Sequence, residues 1–329
     1  MPNLLSPLSF GGVTVRNRIV MPPMWSGQAT PAGGVTDAIV EYHRLRAAAG
    51  CGLVIVEHTY VHPFGRAQST QMGVHDAAMI PGLARLAAAI RAEGAVACLQ
   101  LAHAGASTSA AVIGRRPRGP SAIRTFEPDA DEPEPMTTAD LDEVVDAFGK
   151  AAVRAREAGF QAVEVHAAHG YLLSEFLSPL TNHRTDEYGG SDENRSRLHV
   201  RVLREVRRCI GGDLAVLVRL GAHDETPGGL ELASSCRAAA RLADEGADLI
   251  DVSGGLQGSR PPGRPPGYFV PYAEAIKAAV RVPVSVAGGI TEPSFADRLV
   301  REGRTDLVGI GRAMLNDADW ARKAIAALS

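Results

Sequence analysis

Eight short, almost wholly apolar segments recur along the chain, and segments with apolar residues at helical spacing separate most of them. Strands that alternate with helices predict a parallel sheet with crossover helices. The segments are nearly continuous in apolar character, as expected for strands covered on both faces. Eight such units in 329 residues favour a closed (β/α)8 TIM barrel, an α/β fold, over an open doubly wound sheet. The predicted strands are RIVM (18–21), LVIVE (53–57), AVACLQ (95–100), AVEVH (162–166), LAVLVRL (214–220), DLIDVS (248–253), VPVSVAG (282–288) and DLVGIG (306–311).

The length of the chain alone would suggest about two domains, but barrels of this class often exceed that length as one unit. No predicted strand leads into the GxGxxG turn of a dinucleotide-binding fold. Gly254-Gly255 comes nearest, and its surroundings are too rich in proline to begin a helix. We therefore expect a single barrel domain that spans residues 1–329.

Composition excludes several classes of function. The net charge is −3, so no basic field predicts binding to nucleic acid or to an anionic membrane. No apolar run approaches the roughly 20 residues that cross a bilayer, and the start lacks the features of a signal peptide. The four cysteines stand far apart without a CxxC pair, which argues against a zinc site or an iron–sulfur cluster and suits a reducing compartment. We expect a cytoplasmic protein.

Three predicted connections that follow strands are unusually long. They span 102–137 after the third strand, 167–191 after the fourth and 254–270 after the sixth, whereas such connections usually have two to six residues. In a TIM barrel, functional residues lie on the loops at the carboxyl ends of the strands. All three long loops belong to that face, which is where we expect the site.

The segment AVEVHAAHGYLLS (162–174) places His166, His169 and Tyr171 at the end of the fourth strand. These side chains could be metal ligands. Catalytic zinc usually has three protein ligands, however, and the sequence shows no third ligand at a recognised spacing. They could also be ordinary polar residues of a turn. The third interpretation is a clamp in which two ring N–H groups hold a carbonyl or nitro oxygen. The phenol beside them, protonated at neutral pH, would then donate a proton to a carbanion-like carbon.

No side chain can deliver a hydride, so the clamp interpretation requires a redox cofactor. SVAGGIT (285–291) and GIGRAM (309–314) end the last two strands, where barrels of this kind commonly bind phosphate. Both could instead be simple tight turns. One phosphate site suits flavin mononucleotide (FMN) better than a dinucleotide, and its candidate residues are Gly288, Gly289, Gly311 and Arg312.

Two further polar residues belong to predicted strands. Gln100 closes the third strand, and its amide could bind the edge of a flavin pyrimidine. Arg219 lies within the fifth strand, where a buried charge is costly unless it is paired. Arg219 could stabilise a reduced flavin, or it could form a salt bridge with Glu164 or Asp251.

These motifs resemble the Old Yellow Enzyme family of FMN-dependent ene-reductases, in its compact bacterial branch. The resemblance runs from residue 4 to about 327. The resemblance implies that the protein binds FMN noncovalently, that NAD(P)H reduces the flavin, and that the flavin then reduces an electron-poor alkene. We also expect a homo-oligomer. Its markers are LLSPLSFGGVTVRNRIVMPPM, QLAHAG, GPSAI, HAAHGYLLSEFLSPLTNHRTDEYGGSDENR, DLIDVSGG, VAGGIT and GIGRAM.

The resemblance assigns roles by matching motif. His166 and His169 would hold the substrate oxygen, and Tyr171 would be the proton donor. The residues implied to contact the flavin are Pro22, Pro23, Met24, Trp25, His58, Gln100, Arg219, Gly288, Gly289, Gly311 and Arg312. No metal is implied.

The chain departs from the family pattern at several positions. Trp25, followed by Ser26, stands where the family commonly has a Thr or Cys that hydrogen-bonds the flavin. His58, just after the second strand, replaces a small residue, and Gly27 and Ala106 replace a Tyr and an Arg. We also expect the chain to lack the extended tail of some relatives. We expect an altered pocket.

Two other functions stay open. Relatives on this scaffold oxidise or demethylate amines, or reduce dienoyl thioesters, generally with a cysteine-ligated cluster and extra domains. A flavin-free barrel, such as a metal-assisted isomerase or lyase with histidine ligands, is the alternative from another class.

Overall fold

The computed structural model describes residues 2–124, 131–259 and 263–329. Eight parallel strands close into a barrel, which confirms the predicted (β/α)8 fold. Two small sheets lie outside it. In chain order the strands are β1 (Leu8–Phe10), β2 (Val13–Val15), β3 (Ile19–Met21), β4 (Leu53–Tyr60), β5 (Val96–Ala102), β6 (Arg118–Gly119), β7 (Glu134–Pro135), β8 (Ala162–Ala167), β9 (Ala215–Gly221), β10 (Leu249–Ser253), β11 (Val284–Ala287) and β12 (Leu307–Gly309).

Each predicted strand corresponds to one barrel strand, in the order β3, β4, β5, β8, β9, β10, β11 and β12. The largest difference is in β4, which continues to Tyr60 and includes His58, predicted to follow the strand. The register between β4 and β5 shifts between Val56 and Thr59. Such a bulge bends a strand and re-aims the side chains beside it. β5 likewise continues to Ala102, two residues beyond Gln100.

Helices cover the outside of the barrel and bury their apolar faces against the strands. The longest, α4, begins with a capping box in which the Thr137 hydroxyl accepts from the Asp140 N–H at 3.2 Å. The helices are α1 (Asp37–Ala48), α2 (Ile80–Ala92), α3 (Ala110–Ile113), α4 (Thr138–Glu157), α5 (Leu172–Leu177), α6 (Asp192–Arg195), α7 (Arg197–Ile210), α8 (Leu232–Asp244), α9 (Val270–Ala279), α10 (Pro293–Arg301), α11 (Arg312–Asn316) and α12 (Trp320–Leu328).

The antiparallel hairpin β1–β2 closes one end of the barrel. Phe10 and Val15 pack against Leu53, Val96 and other residues near the beginnings of the barrel strands. The hairpin therefore covers the amino-terminal end, and the carboxyl ends of the strands are left for a binding site. The strand pattern did not predict this hairpin.

The long loops lie at the carboxyl ends of β5, β8 and β10. The first contains α3, β6 and β7, and the second contains α5. Residues 125–130 of the first predicted loop and 260–262 of the third lie outside the described residues. Within the part of the chain that is described, no helix is both long enough and apolar enough to cross a membrane.

Candidate active site

A cavity of about 850 Å³ opens at the carboxyl ends of the barrel strands. It brings together every candidate residue from the sequence, although they come from many separate positions along the chain. The candidates that line the cavity are Pro22, Pro23, Met24, Trp25, His58, Gln100, His166, His169, Tyr171, Arg219, Gly288, Gly289, Gly311 and Arg312.

The rings of His166, His169 and Tyr171 form one compact group. The centroids of His166 and His169 are 5.1 Å apart, with ring planes at 84°. The centroids of His166 and Tyr171 are 5.0 Å apart, with planes at 73°. The backbone places them: His166 lies at the end of β8, His169 has a φ of +63°, and Tyr171 is the N-cap residue of α5.

Hydrogen bonds indicate which nitrogen of each imidazole carries the proton. His166 Nδ1 accepts from the backbone N–H of Ala168 at 3.3 Å, so in the neutral ring the proton is on Nε2. His169 Nε2 lies 2.7 Å from the Ser253 hydroxyl oxygen. That oxygen also accepts from Arg219 at 3.4 Å, which favours donation of the Ser253 hydrogen to Nε2 and places the His169 proton on Nδ1. Each ring is then left with one N–H donor.

Both histidines are neutral at physiological pH. Burial lowers the pKa of His166 well below its ordinary value, and the nearby His169 and Arg219 lower it further. Burial and the charge of Arg219 lower the pKa of His169 in the same way. Neutral imidazoles donate hydrogen bonds but are very weak acids, and a phenol is the stronger acid of the two groups.

Arg219 forms one of the two salt bridges that the sequence left open. Its Nη1 lies 3.4 Å from Asp251 Oδ2 on the neighbouring strand β10. The contact leaves Nε and Nη1 without a hydrogen bond, although the residue is only 4% exposed. Buried N–H groups without an acceptor are costly, so the guanidinium retains donors for a ligand in the cavity.

Gln100 is held by a buried carboxyl group. Its Nε2 donates to Glu164 Oε2 at 2.7 Å. Burial and the negative charge of Asp251 raise the pKa of Glu164. The bond fixes the amide of Gln100 and leaves its carbonyl oxygen as the atom able to accept from a ligand N–H.

The segments that end β11 and β12 form a cradle suited to an anion. Gly288 and Gly289 have φ values of +145° and +68°, which are strained for residues with a side chain. A Cβ atom on Gly311 would lie 3.0 Å from Met24 Sδ. Within the described chain no carboxylate pairs with Arg312. Glycine backbone beside an arginine that forms no ion pair with a described carboxylate fits a phosphate group.

Ser26 is not among the residues that line the cavity and is bound to a buried carboxyl group. Both its backbone N–H and its hydroxyl donate to Glu57, the hydroxyl at 3.1 Å. Burial raises the pKa of Glu57 to about 7. The preceding residue, Trp25, lines the mouth of the cavity with 47% of its surface exposed.

His58 lies beside Tyr171 in the same cavity. The ring centroids are 5.5 Å apart at 50°, and His58 Nε2 donates to Gln68 Oε1 at 3.3 Å. Burial lowers the pKa of His58 to about 4, so this third imidazole is also neutral.

Sequence reasoning missed several residues that line the cavity, among them Gln68, Ser253 and Tyr268, which hydrogen-bond predicted site residues. Ser253 ends a predicted strand and Tyr268 belongs to a loop singled out for its length, so position gave a signal for both. Gln68 follows the second strand at a distance, and no motif pointed to it.

Known proteins resemble the chain over its whole length. The model of the NADH:flavin oxidoreductase / NADH oxidase family matches residues 3–329. An NADPH dehydrogenase of Bacillus licheniformis is 40% identical over 322 residues, which cover 98% of this chain and 93% of that protein. An NADH oxidase of Thermoanaerobacter brockii is 37% identical and matches 98% of this chain, which spans only 50% of that longer protein.

A solved structure of similar fold is that of the old yellow enzyme homologue from Zymomonas mobilis. It superposes with a TM-score of 0.88 at 28% sequence identity, covering 100% of this chain and 94% of that one.

Proposed function

The chain belongs to the NADH:flavin oxidoreductase / NADH oxidase family, the Old Yellow Enzyme family, and from that membership we propose that it binds FMN and reduces activated carbon–carbon double bonds with electrons from NAD(P)H. The substrates would be α,β-unsaturated carbonyl or nitro compounds. The observation that carries the proposal is one cavity that holds two neutral histidines, a tyrosine and an anion cradle.

The residues of the cavity fit FMN. Gly288, Gly289, Gly311 and Arg312 would hold the phosphate, and Gln100 and Arg219 carry hydrogen-bonding groups for the edge of the ring system. Bound FMN supplies hydride transfer, which no side chain can perform.

His166 and His169 would bind the substrate oxygen. Each neutral ring offers one N–H group, from His166 Nε2 and His169 Nδ1. Because charge develops on the oxygen of a conjugated carbonyl or nitro group during reduction, fixed donors stabilise the transition state more than the ground state. Donors of this kind are worth about 2.7–4 kcal/mol each.

Tyr171 would donate a proton from its Oη to the alkene carbon that carries negative charge. A phenol with a pKa near 10 keeps its proton at neutral pH. The backbone of Tyr171 is held in place, because its carbonyl accepts from the Glu175 N–H at 2.9 Å at the start of α5.

The alternative in which the histidines bind a metal is less consistent with the geometry. His166 Nδ1 and His169 Nε2 are both occupied by hydrogen bonds within the protein. Among the residues that the structure describes, no three His, Cys, Asp or Glu side chains are grouped as metal ligands. Two nitrogens that carry protons do not make a metal site.

Colour tests the proposal directly. Protein reconstituted with FMN should be yellow, bleach with NADPH under anaerobic conditions and regain its colour when 2-cyclohexen-1-one is added. Cyclohexanone, which lacks the double bond, and cyclohexene, which lacks the carbonyl, are the controls and should leave the protein bleached. A protein that binds no flavin, or whose flavin is bleached by an amine but not by NADPH, would contradict the proposal.

A further inference from the structure

Tyr268 lies over the two glycines of the anion cradle. It belongs to the loop between β10 and α9 and lines the cavity. A Cβ atom placed on Gly289 would be 2.9 Å from Tyr268 Cε1, and one on Gly288 would be 3.1 Å from Cε2. The phenol ring is therefore in close contact with this backbone and forms a wall of the cradle.

The hydroxyl group of Tyr268 joins two segments of the site. Its hydrogen is donated to the backbone carbonyl of Ser259 at 2.9 Å. Its oxygen accepts from Arg312 Nη2 at 3.2 Å. A phenol has a single hydrogen, so the bond to Ser259 sets the direction of that hydrogen and turns the oxygen lone pairs toward Arg312.

Tyr268 is the side chain that orients Arg312. Among the described residues it supplies the one hydrogen-bond partner of the Arg312 side chain, and no carboxylate competes for the guanidinium. A guanidinium has five N–H donors in a rigid plane. The bond to Tyr268 occupies one of these donors and leaves the others for an anion. It also restricts the motion of the Arg312 side chain before an anion binds, so less conformational entropy is lost on binding.

We propose that Tyr268 is a positioning residue for the phosphate of the bound flavin. Its ring closes the cradle over Gly288 and Gly289, and its hydroxyl holds Arg312 in place. The inference rests on the proposed function. It predicts that Tyr268 contributes to the binding of flavin that carries a phosphate, and not to the binding of the ring system itself.

Comparison of FMN with riboflavin, which lacks the phosphate, isolates this contribution. Dissociation constants of both flavins are measured on the apoprotein by quenching of flavin fluorescence. In Tyr268→Phe the dissociation constant of FMN should rise about tenfold, the usual scale for a lost hydrogen bond in a charged network. That of riboflavin should stay within about twofold of the wild type.

Tyr272→Phe is the matched control. Tyr272 also loses one phenolic hydrogen bond, to Glu225, and lies four residues away, outside the residues that line the cavity. Both flavins should bind this variant as they bind the wild type.

A double-mutant cycle with Arg312→Gln tests whether Tyr268 acts through the arginine. If it does, Tyr268→Phe should change FMN affinity less than twofold in the Arg312→Gln background. Unchanged FMN affinity in Tyr268→Phe, an equal loss for FMN and riboflavin, or additive effects in the cycle would overturn the inference. If Tyr268→Phe does not fold, Tyr268→His gives the same test, because its shorter ring does not carry an acceptor to the position of the phenol oxygen beside Arg312. FMN should then bind this variant about tenfold more weakly while riboflavin binds as in the wild type, and unchanged FMN affinity would refute the role. Failure of the wild type to bind either flavin would instead contradict the proposed function.

Discussion

The ring of Tyr171 lies close to two imidazoles, with the His166 centroid at 5.0 Å and the His58 centroid at 5.5 Å. Burial keeps both histidines uncharged at neutral pH because it lowers the pKa of each ring. The phenol is therefore confined by neutral rings, and its proton is the most readily transferred one in the group. The following predictions test the roles of these residues.

Tyr171→Phe should slow alkene reduction by about 10²–10⁴-fold, the range for a lost general acid. Reduction of the flavin by NADPH should keep its wild-type rate because that step needs no proton from Tyr171. Stopped-flow absorbance under anaerobic conditions measures the two half-reactions separately. Equal losses in both would refute the assignment of Tyr171 as proton donor.

His166→Ala should slow reoxidation of the reduced flavin by 2-cyclohexen-1-one about 10²–10³-fold, because one donor to the substrate oxygen is lost. His166→Asn is the matched comparison and should lose less, since its amide retains an N–H group. If activity instead depended on added divalent metal in the wild type and vanished in both variants, the histidines would be ligands and the clamp would be wrong.

His58→Ala should shift substrate preference toward bulkier alkenes. The change removes an imidazole next to Tyr171 and opens space for a substituent on the substrate. An added small group in such a pocket changes kcat/KM by about tenfold. The measurement compares 2-cyclohexen-1-one with its methyl- and phenyl-substituted derivatives. Gln68→Ala removes the hydrogen-bond partner of His58 but leaves the imidazole, so it should keep the wild-type preference; an identical shift in both variants would argue against a steric role.

Glu57→Gln should change how stability depends on pH. Burial raises the pKa of Glu57 to about 7 from its ordinary value of 4.5, so the folded state holds this proton more tightly than the unfolded state. The corresponding stabilisation is complete below pH 4.5 and is lost as pH rises to 7. The wild type should therefore lose about 3 kcal/mol relative to Glu57→Gln between pH 4.5 and 7, and little more above pH 7.

Urea unfolding of the two proteins across this pH range measures the difference. Gln matches the protonated acid in shape and can still accept from the Ser26 N–H, so the two proteins should be similar at low pH. A difference that does not vary with pH would mean that Glu57 titrates near its ordinary value.

Much of the fold could be predicted because its signals are local. Each barrel strand is a short apolar segment, and parallel strands with crossovers must place their carboxyl ends on one face. For the same reason His166, His169, Tyr171 and Arg312 were found from their positions at strand ends. The hairpin β1–β2 was missed because its three-residue strands, LSF and VTV, each contain a polar residue, so neither forms the continuous apolar segment by which the barrel strands were recognised.

Contacts between distant segments could not be predicted. The Arg219–Asp251 salt bridge was one of two open possibilities, and strand pairing selected Asp251. Nothing in the sequence indicated that Ser26 would bind Glu57, or that Tyr268 would bind Arg312, since 44 residues separate the latter pair.

Local sequence was enough to predict the barrel and many of the residues at its mouth, because apolar segments and their ends are properties of neighbouring residues in the chain. The protonation of those residues and their hydrogen-bond partners followed only from the folded structure. Both depend on burial and on charges from other strands, and only the closed barrel brings these together.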